Sequence, residues 1–146
     1  MRKWRFGPGM VALTVCMAAC SMSTRPSSSF SVKAAIAEPF MLRVGQSATV
    51  DGTPVQVTFQ RLLEDQRCPI DVICVWAGYV QIAVQFVAGA AEYADTLNWN
   101  REPAQIIHGG YALRLLDLQP PRRSTADPDP SIYVATLIVS RYNSVP

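Results

Sequence analysis

The chain has 146 residues, 49% of them hydrophobic and 16% charged, with 11 prolines, 4 cysteines and a single histidine. That length suits one domain, and the composition is too apolar for wholesale disorder. A formal charge of +2 leaves no footprint for nucleic acid, and one histidine leaves little for a zinc site or for acid–base chemistry near neutrality.

The first element in chain order has three parts. Arg2, Lys3 and Arg5 make a basic start, Gly7 to Ala19 is uncharged and mostly apolar, and the small Ala18 and Ala19 lead into Cys20. About 13 residues fall short of the roughly 20 that span a bilayer, so residues 1–19 read as an export signal. Met17-Ala18-Ala19-Cys20 resembles the lipobox of bacterial lipoproteins. The resemblance implies cleavage before Cys20, a diacylglycerol on its sulfur and, with Ser21 next instead of Asp, an address at the outer membrane. Met17 stands where Leu is usual. Cys16 competes, but Val15 is too bulky for the position before the cut. The alternative is an ordinary cleaved signal and a periplasmic or secreted domain.

Removing residues 1–19 takes away three basic groups, so the 13 Lys and Arg fall to 10 against 11 Asp and Glu, net −1. No argument for nucleic acid survives that change. Residues 20–38, with Ser27-Ser28-Ser29 and no apolar period, read as a flexible tether. The domain then covers 39–146, with its ordered part from near Phe40 to about Tyr142.

Within it the dominant period is two. Val55, Val57 and Phe59 alternate with Gln56, Thr58 and Gln60, and Val80, Ile82, Val84 and Phe86 alternate with Gln81, Ala83 and Gln85. Residues 132–139 are apolar on both faces and predict a central strand. Shorter strands are predicted at 40–44, 47–50, 92–97 and 111–118. Asp51-Gly52, Gly89, His108-Gly109-Gly110 and Gln119-Pro120-Pro121 mark turns, and residues 120–131 form a long polar loop. About seven or eight short strands and no amphipathic helix predict an all-β fold, a single antiparallel sandwich or small barrel.

The most individual segment runs from Glu64 to Gly78. With Cys16 cleaved away and Cys20 lipidated, Cys68 and Cys74 are the remaining pair, and in an oxidising envelope they are expected to bond. Their C-x5-C spacing does not suit zinc. Closing so short a loop contributes about 2 kcal/mol, so the bond is expected to shape a local excursion more than the whole fold. The run D-x-R-C-P-x-x-x-x-C-V-W-A-G, here Asp65 to Gly78, resembles a signature of small exported bacterial proteins, many of them uncharacterised. The resemblance implies a recurring structural unit in exported β-domains and brings no activity with it.

Asp65, Arg67, Asp71, Trp76 and Trp99 are the candidate binding residues. Each also has a structural reading. Trp76 is expected to pack on the disulfide and core, or else to stack on a ligand. Arg67 is expected to pair with Asp65 or Asp71 at the surface, where such pairs are worth little. Gly78 is expected to permit a close backbone approach. Glu64, Asp65 and Asp71 offer oxygens to calcium, but in no EF-hand spacing. Trp99, in Asn98-Trp99-Asn100-Arg101, either contacts a sugar or protein from a loop or closes the sandwich edge.

Catalytic patterns are sparse. His108 precedes two glycines and reads as an exposed turn residue, and the sequence holds no Gly-x-Ser-x-Gly elbow, phosphate-cradling loop or dinucleotide fingerprint. The expectation is a non-catalytic, lipid-anchored envelope domain without cofactor or metal. It would touch the membrane through Cys20 and bind an envelope protein. The runner-up is a secreted protease inhibitor presenting the Cys68–Cys74 loop.

Overall fold

Val55, Val57 and Phe59 are fully buried while Gln60 is exposed, as a strand with one face on a core requires. The computed structural model describes residues 31–143. It contains nine strands: β1 (Ser31–Ala34), β2 (Pro39–Arg43), β3 (Ser47–Val50), β4 (Val55–Asp65), β5 (Val80–Ala88), β6 (Ala91–Trp99), β7 (Gln105–His108), β8 (Tyr111–Gln119) and β9 (Val134–Arg141). A single 3₁₀ turn, Pro130–Ile132, precedes β9.

The strands form two sheets, ordered β1-β3-β4-β5-β6 and β2-β9-β8-β7. All pairings are antiparallel except β1 with β3. The all-β sandwich is therefore as expected, and the sheets do not close into a barrel. Between them lie Leu42, Val50, Phe59, Ile82, Phe86, Leu97, Leu113 and Leu137, all at 0% exposure. The doubly apolar run near 132–139 is β9, an interior strand between β2 and β8.

Two elements differ from expectation. Residues 31–34, assigned to the tether, form β1, and Ala34 lies in the core. The ordered domain thus begins before Phe40: Ser31 to Ala34 pair with Ser47 to Val50, which leaves β3 no free edge. β7 was not expected at all. The signal, Cys20 and residues 20–30 of the tether lie outside the described residues.

The ends of the sandwich are unlike. At one end sit the short turns 51–54, 89–90 and 109–110. At the other, two long connections, 66–79 between β4 and β5 and 120–133 between β8 and β9, converge with the shorter 100–104 between β6 and β7. The candidate site is built at this second end.

Candidate functional site

Two bulges in β4 set up the site. The pairing with β5 skips one residue between Phe59 and Arg61 and another between Leu62 and Glu64. Each skip reverses which face a side chain takes, and two restore it. Asp65 therefore lies opposite the fully buried Val80, on the core side, while the bulged Leu63 turns outward.

Arg67 comes back to meet Asp65. Its Nε donates to Asp65 Oδ1 at 2.8 Å and its Nη2 to Oδ2 at 2.6 Å, a two-pronged pair. The two side chains are only 12% and 5% exposed. The same guanidinium donates to the carbonyl oxygens of Leu118 and of Pro120, the latter at 2.9 Å. Tyr133 Oη, on the facing sheet's connection, donates to Asp65 Oδ2 at 3.1 Å. Burial opposes the Arg67 charge, but the hydrogen bonds and charge of Asp65 outweigh it and raise its pKa. Burial and the neighbouring Asp65 carboxylate push the Tyr133 phenol up to about 12. The expected surface pair is thus a buried clasp that joins β4 and the 66–79 connection to β8 and the 120–133 connection, because Asp65 keeps the core-side face of β4.

Above the clasp the connection continues the ladder for two rungs. Gln66 N–H donates to the Tyr79 carbonyl at 2.8 Å and Cys68 N–H to the Ala77 carbonyl at 3.1 Å. Gly78 makes this possible. Its φ is +75°, and a Cβ there would lie 1.8 Å from the Gln66 carbonyl oxygen. Asn100 Nδ2 donates to the Gly78 carbonyl at 2.6 Å.

The disulfide Cys68–Cys74, with Cα atoms 5.9 Å apart, closes the tip. Asp71 accepts from Ser124 N–H at 2.9 Å and Ser124 Oγ at 2.7 Å. These two bonds hold the exposed Asp71 carboxyl below its ordinary pKa. Ile70 N–H donates to the Arg122 carbonyl at 3.1 Å, and Arg122 Nη1 to the Arg67 carbonyl at 3.3 Å. A shallow cleft of about 460 Å³ lies between Pro69 and residues 122–127.

What this frame presents is apolar. Ile73 and Val75 are wholly exposed, at 103% and 105%, and Ile70 and Trp76 are more than half exposed. Trp76 departs from the core packing expected for it. Its ring stands 6.2 Å from that of Tyr79, over which the Arg101 guanidinium sits at 4.7 Å. Every residue from Ile70 to Ala77 is exposed, so this part of the loop lies off the core and Trp76 with it.

The remaining candidates separate from this tip. Trp99 ends β6 opposite Val80 and packs on the core, so it closes the sandwich and is not a loop contact. Asp65 is engaged by Arg67 and Tyr133, and Asp71 by Ser124. Among the described residues no group of three or more His, Cys, Asp or Glu gathers to hold a metal ion.

His108 is not an exposed turn residue. It ends β7, bonds through Nε2 to Asp95 of β6, and stacks on Tyr93 with ring centroids 3.7 Å apart and planes at 6°. It bridges the two sheets at the short-turn end. Sequence reasoning missed this cluster: period two puts Tyr93 and Asp95 on one face of β6, but nothing announced β7 or its place beside that face. The Gly109-Gly110 signal marked the turn and not the side chain before it.

Fold and site together define an all-β sandwich carrying a disulfide-braced, apolar-tipped loop. No protein-family model, curated protein or solved structure matches the chain.

Proposed function

We propose that this is a non-catalytic binding domain of the bacterial cell envelope, tethered by lipid at Cys20, whose contact surface is the loop from Cys68 to Trp76. One observation carries the reading. Ile73 and Val75 are fully exposed on a segment pinned by a disulfide, by the Asp65–Arg67 clasp and by Asp71–Ser124. Exposing large apolar side chains costs solubility, and a rigid loop loses little entropy on binding. An apolar tip held this way is built for contact.

Chemical cross-linking in intact envelopes tests it, comparing the natural chain with the variant Ile73→Ser, Val75→Ser, Trp76→Ala. The natural chain is expected to give a reproducible set of adducts, protein or lipid, that the variant lacks. Identical adducts from both would contradict the reading.

The inhibitor reading has its own support in Val75, fully exposed immediately after the bridged Cys74. A protease would take Val75 into an apolar specificity pocket. It is tested against elastase-like enzymes with the natural chain and Val75→Asp. Inhibition that survives the Asp would count against it.

A further inference from the structure

β1 runs away from the long-loop end, so the chain enters the domain from the side on which the cysteine loop stands. Ser31 pairs with Ser47, Ser47 with Thr58, and Thr58 with Gln85. From Gln85 to Val80, at the root of the loop, is five ladder steps, roughly 17 Å at about 3.3 Å each, and the five residues from Val80 out to Val75 add at most about 17 Å more. Cys20 precedes Ser31 by 11 residues, a stretch that reaches up to roughly 37 Å whatever its course. A lipid on Cys20 and the tip of the loop can therefore meet one surface while the domain stands upright on it.

The tip has the chemistry of such a surface. Ile73, Val75 and Trp76 are exposed together on one disulfide-braced loop, with Ile70 beside them. Lower on the stem stand Tyr79 and the Arg101 that covers its ring, and the loop's one carboxylate near the tip, Asp71, is bonded to Ser124 and faces the exposed Arg123. Aliphatic side chains at the point, with Trp, Tyr and Arg behind, match the layering of acyl chains, interface and headgroups. The stem is already ordered, so insertion requires no refolding.

We infer that the cysteine loop is a membrane-contact finger: Ile73, Val75 and Trp76 dip into the headgroup–acyl boundary of the leaflet that holds the Cys20 lipid. This rests on the reading of Cys20 as lipidated for its geometry, and names the lipid surface as what the loop binds. The finger fixes orientation. It turns the long-loop end toward the bilayer and leaves the short-turn end, with His108, facing away.

Site-specific photo-crosslinking tests this in the full chain, exported with its own signal and irradiated in envelopes. Val75 is replaced by p-benzoylphenylalanine in one sample and Asp51, in the turn at the opposite end, in another. The finger predicts phospholipid adducts at position 75, severalfold above those at 51, and their loss when Ile73→Asp and Trp76→Asp are added. Protein adducts at 75, no adducts, or equal lipid adducts at both positions would overturn it. The intact mass of the same samples separates the two claims. A lipidated Cys20 with no lipid adduct at 75 sinks the finger and leaves the anchor. An unlipidated Cys20 with a lipid adduct at 75 sinks the anchor and leaves the finger.

Discussion

The two ends of the sandwich each hold a trio of an aromatic ring, a carboxylate and a basic side chain, and they differ in depth. Tyr133, Asp65 and Arg67 lie under the cysteine loop, with the two charged side chains 5% and 12% exposed. Tyr93, Asp95 and His108 lie at the edge between β6 and β7, with Asp95 and His108 at 35% and 24%. A buried ion pair is costly to form and more costly to half-remove, whereas a partly hydrated one can be released to water. The first trio is therefore a fixed foundation for a protruding loop, and the second an edge stitch.

The sharpest way to break that contrast is Arg67→Ala. It strands Asp65 without its cation and takes one donor from each of the Leu118 and Pro120 carbonyls. A loss of about 3–5 kcal/mol is expected in denaturant unfolding. A loss below about 1 kcal/mol would show the pair to be hydrated like its counterpart.

Gly78→Ala strikes the stem without touching a charge. The new Cβ would fall on the Gln66 backbone, and the positive φ adds strain, so a loss of about 2 kcal/mol or more is expected. Deuterium exchange at Gln66 and Cys68 should accelerate in the same variant. Unchanged exchange there would mean that the ladder does not depend on Gly78.

Alkaline titration sharpens the first trio further. With the Tyr133 phenol raised to about 12, the folded state keeps its proton where the unfolded state has lost it. Its contribution is thus full below the ordinary tyrosine value near 10 and is lost as pH rises through about 12. Tyr133→Phe should remove that part of the decline between pH 10 and 12. An identical alkaline profile would place the phenol in water.

His108→Ala removes the ring stacked on Tyr93 and the partner of Asp95 at a partly exposed edge. About 1 kcal/mol is expected from thermal or denaturant unfolding, well under the effect at Arg67. Equal losses at the two ends would erase the distinction drawn between them.

The strands were legible because their period of two is written in Val, Ile, Phe and Leu, and six of the seven expected strands begin within one residue of their observed start. The strand expected at 132–139 is the exception, beginning at Val134 because Pro130–Ile132 form a 3₁₀ turn. β1 was not legible: Ser31-Val32-Lys33-Ala34 alternates over only four residues beside a serine-rich run, and its parallel partner lies 16 residues on, at Ser47. β7, Gln105-Ile106-Ile107-His108, is too short to show one.

The cysteine pair and Gly78 were visible as chemistry, since a thiol pair and a glycine in a stem restrict what the backbone can do. The burial of Arg67 was not, because the Leu118 and Pro120 carbonyls that hold it lie 51 and 53 residues on in the chain. Trp76 misled for a related reason. An aromatic beside a disulfide suggests core, but direction is decided by where the stem aims the loop.

The central claim is that the loop is rigid below and free above, so that its tip serves contact and not stability. Denaturant unfolding of Ile73→Ser, Val75→Ser, Trp76→Ala beside the natural chain measures this directly. The account predicts midpoints that agree to within about 0.5 kcal/mol, with the envelope adducts lost. A destabilisation of about 2 kcal/mol or more would contradict it, by showing that these side chains hold the fold together.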